Sequence, residues 1–533
     1  MAVVQCAVSG ESFTVSDAER GLREKFGFGD SLPSVKIKYR FRELGAFWPH
    51  WNLHPRTCDK TGKTIISIFR PDCPYPVWDR AVWVKDANPP SAEFSNSRSF
   101  FEQAWDLFRR CPLPHNFQSH NENSEYTDDF YSQQSQLCSD LVHSNNCYST
   151  IYALYCQNVQ DSAFLYDCRR CAHCLFCTNL RDKQFCFENK QLTQEEYADK
   201  ISGWNLRSRQ DFKRAKDHLH ALILEQGWHR AVHVDHCENT QGNYLMHCKN
   251  CEDCFISPWH EDCVHDLISG HHAKLTLDSM GTIGSELSYH SVMDVYCYGI
   301  RFSFELNECK SCDYCAYCFN CRDCFGCCGL FGKRYCILNR QYTEQEYRSL
   351  KENVIAHMQR TPLRPPSGSY EGQAVEWGSF FPGHFAPNPY DESCSGFNFP
   401  LSLQEQRTLG FRAAEKLERK TENMQSMDRI PDSVDALRPA DESSITATVF
   451  WDDAFERPFK ITKEDIAASR KLGIPLPSGY YIKRMQENLR WMPCDGELRE
   501  TLCGKCGCTV LTSWPSAFDS RILCEEDYLK VVM

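Results

Sequence analysis

The 533-residue chain has no apolar run of 18 residues, which excludes a helix that crosses a bilayer. Its opening, MAVVQCAVSGESF, lacks a charged n-region and an apolar h-region and predicts no secretory leader. Positive charge is in deficit: 59 Lys and Arg against 71 Asp and Glu leave a net charge of −12. No global attraction to nucleic acid or acidic membranes is expected from that balance. GxSxG, Walker A, GxGxxG and HExxH are all missing. No cysteine–histidine nucleophile can be singled out among so many of both residues, so the expectation is a protein that is not an enzyme.

What is abundant is cysteine. There are 33, in a chain that is 42% hydrophobic and 13% aromatic, the composition of folded domains. In a reducing, intracellular compartment such a set means metal ligands or buried thiols more often than disulfides.

Two duplications organise the chain. CRRCAHCLFCTNLRDKQFCFENKQLTQEEY (168–197) aligns without gaps with CFNCRDCFGCCGLFGKRYCILNRQYTEQEY (318–347) at an offset of 150. Each copy ends in a capping box, Thr193 with Glu196 and Thr343 with Glu346. The first predicts a helix running to about residue 226, the second a helix stopping before Pro362. The other duplication pairs the two ends. FTVSDAE (13–19) followed by LPS (32–34) resembles FKITKED (459–465) followed by LPS (476–478), with Ser16 and Thr462 as N-caps. A cysteine turn follows in each, CDKTGKTIIS from Cys58 and CGKCGCTVLTS from Cys503.

The expected organisation is therefore a degenerate ribbon-like module (1–112), two cysteine blocks with closing helices (113–230 and 231–360), an arm (361–450), and a zinc-ribbon-like module (451–533). The arm is rich in Pro and aromatics and is expected to pack through Trp377, Phe380, Phe381 and Phe397.

Cys503-x2-Cys506 and Cys524-x2-Asp527 have the spacing of two zinc knuckles, with Cys508 an alternative fourth ligand to Asp527. At the other end Cys6-x2-Ser9 and Cys58-x2-Thr61 each keep one cysteine of a pair, and Cys73 stands alone, which predicts a metal-free relic. His233, His236 and Cys237 with His247 and Cys248 form a second candidate cluster, weighed against plain loop histidines.

The central stretch NECKSCDYCAYCFNCRDCFGCCGL (307–330) carries a cysteine at every third position from Cys309 to Cys327. Three is neither the helical nor the strand period. An iron–sulfur motif lacks its closing C-x3-C-P, and seven even thiols exceed the needs of one ion. Packing fits better: cysteine is small and among the most buried residue types, and short stacked coils bury a ladder of like side chains. Cys138, Cys147, Cys156, Cys237, Cys248, Cys251, Cys254 and Cys263 are placed on earlier coils.

The phrases NENSEYT (121–127), NKQLTQEEY (189–197), LNRQYTEQEY (338–347), EWGSFFP (376–382) and CDKTGKTIISIFRPD (58–72) resemble an uncharacterised cysteine-rich family of candidate-phylum bacteria, with similar sequences in giant viruses. The resemblance implies paired zinc-ribbon ends around a cysteine-repeat centre, and no established activity. The family's ends carry complete cysteine pairs, from which this chain departs at Ser9, Thr61 and Asp527.

These readings converge on an α+β, multidomain chain with a β-solenoid-like duplicated centre and small ribbon-like ends. The expected role is a scaffold or interaction protein in a larger assembly, a virion or ribonucleoprotein among them, with zinc at Cys503, Cys506, Cys524 and Asp527. Protein partners are expected, with nucleic acid not favoured and no membrane insertion. The alternatives are a metal or redox protein using the CxxC repeats, or nucleic-acid binding through ribbon segments such as KIKYRFRELGAFW (36–48).

Overall fold

The computed structural model describes the chain except for residues 1, 30, 50–51, 117–140, 143–150, 155–161, 365–373, 415–423, 481–490, 492, 495 and 533. It is mixed α+β with several sheets. One compact unit comprises Met1–Gln134, Val232–Ala414 and Cys494–Leu498, and the other Ser135–Ala231, Glu415–Pro493 and Arg499–Met533.

The first unit is built on an eleven-stranded sheet. Its strands run parallel from Val234–Asp235 to Arg334–Ile337, and the antiparallel Arg340–Gln341 closes the series. Lys310 pairs with Arg322 and Arg322 with Arg334, so the chain returns to register after twelve residues. Bridges outside the strands keep the same step: Phe304 to Ala316, Ala316 to Cys328, Phe319 to Phe331. The step is eleven at Val234–Leu245 and thirteen at Val264–Leu277. The links between these parallel strands are too short for a helical crossover.

The backbone explains the period of three. Residues 302, 305, 308, 311, 314, 317, 320 and 323 all have φ between +49° and +56°. None is glycine, so each left-handed residue costs about 1–2 kcal/mol locally. Every triplet thus bends once, and its first residue turns inward. Cys309, Cys312, Cys315, Cys318, Cys321, Cys324 and Cys327 occupy that position and are at most 2% exposed. Hydrogen bonds offset the bends. The Cys309 thiol meets the Cys318 carbonyl at 3.3 Å, and Cys318 meets Cys327 at 3.6 Å. The backbone N–H of Cys321 donates to Cys309 Sγ at 3.4 Å. Serine serves the same position, as Cys315 N–H donates to Ser303 Oγ at 3.0 Å. Cysteine and serine there both fill the interior and accept a hydrogen bond, while Ile300, Leu306 and Leu330 occupy the same buried column by packing.

The lining changes along the sheet. In the middle passes the inward residues are Thr276, Ser279, Thr282, Ser285, Ser288 and Ser291, all buried. Two buried acids join them. Burial pushes Asp266 well above the usual carboxyl range and Asp294 up to about 7.

The outward face of the same sheet receives the arm. Trp377 stacks on Phe325, Phe381 lies edge-on to Phe304 and Tyr314, and Phe380 packs on His290. Phe397 lies in the short helix Cys394–Asn398.

The second unit repeats the design on a six-stranded sheet. Cys174 pairs with Cys186 as Cys324 does with Cys336, and Cys168, Cys171, Cys174, Cys177 and Cys186 are buried. Both sheets end in an antiparallel two-residue strand and a capping-box helix, Gln194–Ser202 after Thr193 and Glu344–Arg360 after Thr343. The expected single helix to residue 226 is instead two. Gly203 ends the first, and the Ser208 side chain caps a second, Arg209–Gln226. Cys138, Cys147 and Cys156 and the NENSEYT phrase lie outside the described residues. No described helix is long and apolar enough to cross a membrane.

Candidate metal centre

The C-terminal site starts from a hairpin, Arg499–Leu502 with Thr509–Thr512. Its turn begins at Cys503. Cys503 N–H donates to the Cys508 carbonyl at 2.8 Å, and Gly507 N–H to the Cys503 carbonyl at 3.0 Å. Gly507 has φ +72°, a conformation glycine adopts without strain. This tight turn brings Cys503, Cys506 and Cys508 to one side. The helix Glu525–Val532 then delivers Cys524 at its start, where Cys524 N–H donates to Cys503 Sγ at 3.4 Å.

The sulfurs of Cys503, Cys506, Cys508 and Cys524 all lie within 4.8 Å of one another, and the group could hold a metal ion. Cys506 is 3.4 Å from Cys508 and 3.8 Å from Cys524. Among the described residues this is the only such group of three or more metal-capable side chains. Asp527 stands beside the quartet, its Oδ2 at 3.3 Å from Cys503 Sγ and 3.5 Å from Cys524 Sγ. The thiols of Cys506 and Cys503 hold the Asp527 carboxyl below its ordinary value. Burial raises the Cys503 thiol, but the N–H groups of Cys524, Cys506 and Lys505 outweigh it and lower its pKa. Lys505 and Lys530 add positive charge, Lys530 at 3.8 Å from Asp527.

The same turn recurs three times without a thiol quartet. Cys6 N–H donates to Glu11 O and Gly10 N–H to Cys6 O, both at 2.8 Å. Cys58 N–H donates to Lys63 O at 2.8 Å, and Gly62 N–H to Cys58 O at 2.9 Å. The N-cap residue of a later helix again sends its N–H to the sulfur: Lys36, before the helix Ile37–Gly45, to Cys6 at 3.4 Å and Asp79, before the helix Arg80–Asp86, to Cys58 at 3.2 Å. The positions matching Cys506, Cys508 and Cys524 are Ser9, Glu11 and Lys36 in one turn and Thr61, Lys63 and Asp79 in the other. The single ribbon-like N-terminal module expected from sequence therefore contains two such turns.

The fourth turn was not legible as a cysteine motif. Asp452 takes the place of the first sulfur. Its carboxylate accepts from Ala454 N–H at 3.0 Å, Phe455 N–H at 3.2 Å and Tyr480 N–H at 2.8 Å. Glu456 holds the left-handed position that glycine fills elsewhere, φ +52°. The signal was present: Asp452 precedes Phe459 by seven residues, as Cys6 precedes Phe13.

The other sequence candidates do not converge. His236 and His247 stack at 5.0 Å and are exposed, while Cys248 is buried on the inward side and its N–H donates to Cys237 Sγ at 3.2 Å. Cys73 is half-buried, and burial pushes its thiol up to about 11. In the KIKYRFRELGAFW segment Arg40 and Arg42 are buried, and Arg40 pairs with Asp278 at 2.6 Å. Comparison with known protein families, with curated proteins and with solved structures returns no match.

Proposed function

We propose that the chain is a non-enzymatic β-solenoid scaffold of a larger assembly, with one zinc ion at the C-terminal turn. The observation that carries this reading is the use made of the thiols. They line the inside at a twelve-residue step and bond to the carbonyl nine residues ahead, as Cys327 does to Cys336 at 3.5 Å. A thiol held in this way is packing, not a free ligand or nucleophile. Connections too short for a crossover favour a continuous coil, whose rigid faces suit docking.

Zinc is favoured at the C-terminus by donor chemistry and size. Four thiolates are a structural zinc set, and Zn–S bonds of about 2.3 Å place sulfurs about 3.8 Å apart in a tetrahedron. The Cys506–Cys524 separation of 3.8 Å fits that distance. Cys508 then serves as fourth ligand and Asp527 as a neighbour of the quartet. The thirty described cysteines are all free of disulfides, in keeping with a reducing, intracellular compartment. Of the phrases that resemble the cysteine-rich family, NKQLTQEEY and LNRQYTEQEY fall on the closing hairpins, CDKTGKTIISIFRPD on the Cys58 turn and EWGSFFP on the aromatic arm, which supports the same architecture.

Elemental analysis with thiol titration on native protein tests the reading. One zinc per chain and a large set of thiols that react only after denaturation are expected. Several zinc or iron per chain, or rapid modification of Cys309 to Cys327, would overturn it. Light scattering of the same sample reports assembly.

A further inference from the structure

One outward column of the eleven-stranded sheet can be followed through nine passes: Glu238, Lys249, Glu261, Lys274, Glu286, Tyr298, Lys310, Arg322 and Arg334. Its first five members alternate in sign. Lys274 pairs with Glu261 at 3.1 Å, and Lys249 lies 4.0 Å from Glu238. That arrangement neutralises itself. The last three members are all cations, in direct register, on strands about 4.8 Å apart. Like charges placed opposite one another destabilise a sheet.

Nothing in the fold requires this repulsion. Lys310, Arg322 and Arg334 are exposed. None of them forms an ion pair among the described residues, and Lys310 and Arg334 lie instead over the rings of Tyr298 and Tyr335, at 5.0 and 5.8 Å. The duplicated block in the second unit builds the same closing passes with no cation in this column: Ala172 and Gln184 stand where Arg322 and Arg334 stand here, and they pair in the same register. Lys333, also exposed, precedes Arg334 and adds a fourth positive charge, while Asp323 follows Arg322. The member of the column next to Lys310 is a ring with much of its surface open, Tyr298 at 41% exposed, and Phe331, 59% exposed, precedes Arg334 by three residues in the neighbouring column Asn307–Phe319–Phe331.

We propose that the column Lys310–Arg322–Arg334 binds the phosphate backbone of single-stranded nucleic acid. A one-residue-wide row of cations complements a linear polyanion, whereas the acidic remainder of the chain repels a broad duplex. Exposed rings beside a basic track supply stacking faces for unpaired bases. Three neutralised phosphates give a log–log salt slope of about −2 for a single strand. This proposal is independent of the zinc and thiol count, so either can fail alone.

Fluorescence anisotropy of the full chain with a labelled twelve-nucleotide oligouridylate tests it. Binding with a Kd of about 10⁻⁴–10⁻⁶ M and the stated salt slope is expected. The variant K310Q/R322Q/R334Q should weaken binding at least tenfold and flatten the slope, with an unchanged or higher melting temperature. K249Q/K274Q, in the self-neutralised part of the column, should bind as the parent does. No binding, equal binding by the triple variant, or inorganic polyphosphate of equal charge binding as tightly as the oligonucleotide would overturn it.

Discussion

The turn at Cys503 and the turn at Cys58 have the same backbone and different chemistry. Both hold a sulfur at the mouth of a hairpin and point the first N–H of the next helix at it. At Cys503 three further sulfurs arrive; at Cys58 the same positions carry Thr61, Lys63 and Asp79. The same backbone turn thus forms around a thiol quartet and around a single buried acceptor that meets its N–H groups. Asp452 makes the same point with a carboxylate. The module around Cys6 is held by a buried ion cluster. Arg40 joins Glu19 at 2.9 Å and Asp278 at 2.6 Å, and His265 joins Glu19 at 3.0 Å, so the helices Asp17–Lys25 and Ile37–Gly45 are tied to the sheet by charge.

Removing the metal should separate the two turns most. Cys524→Ser, or a chelator, should take zinc from one per chain to none and lower the melting temperature of the second unit. Structural zinc contributes on the order of 10 kcal/mol in small zinc modules. Cys58→Ser should leave the zinc count unchanged. A zinc content insensitive to Cys524→Ser would break the comparison.

The ion cluster comes next. Glu19→Gln leaves Arg40 and His265 short of a buried partner and should cost about 3–5 kcal/mol, read by denaturant unfolding of the first unit. Its pH dependence follows from the charges. Burial raises Glu19, but Arg40 and His265 outweigh it and bring its pKa to about 2. Its stabilisation is therefore present above its unfolded value near 4.5 and lost as pH falls through about 2. Burial lowers His265, but Glu19 outweighs it and raises its pKa. That stabilisation is full below about 6.5 and lost as pH rises through the higher folded value. Taken together these two groups favour the first unit most between about pH 5 and 6.5, and the fall above that window should be shallower in His265→Gln. Part of it stays, because burial lowers His290 but Asp278 and Glu43 outweigh it and raise its pKa, and because burial pushes Asp294 up to about 7.

Cys58→Ala should cost about 1–3 kcal/mol, because the Asp79 N–H loses its buried acceptor, and Cys58→Ser should recover part of it. Building the missing ligands sharpens the comparison from the other side: T61C/K63C/D79C should bind one additional zinc, seen as a doubled zinc content. The smallest effect is expected from Asp527→Asn. If Asp527 is a neighbour of the quartet, zinc stays at one per chain and affinity falls about tenfold, measured by competition with a chromophoric chelator; loss of the ion would make Asp527 a ligand.

The repeats were legible because a twelve-residue step with one inward residue in three leaves its mark on composition. Cys168 to Cys177 and Cys309 to Cys327 could be aligned by eye. The capping boxes at Thr193 and Thr343 were legible because they are local. The middle passes were not, because Ser, Thr and Asp fill the inward position there and do not stand out from loop composition. Asp452 was missed for the same reason: its role is defined by three backbone N–H groups, one of them 28 residues away.

By itself, then, the sequence determined the period, the duplications, the helix starts marked by capping boxes and the cysteines able to meet a metal, all properties of neighbours along the chain. Only the tertiary structure decided which thiols converge on one point and which stack along a line, because a sulfur's role depends on what the next pass of the backbone offers it. At Cys309 that is a carbonyl and an N–H. At Cys503 it is three more sulfurs.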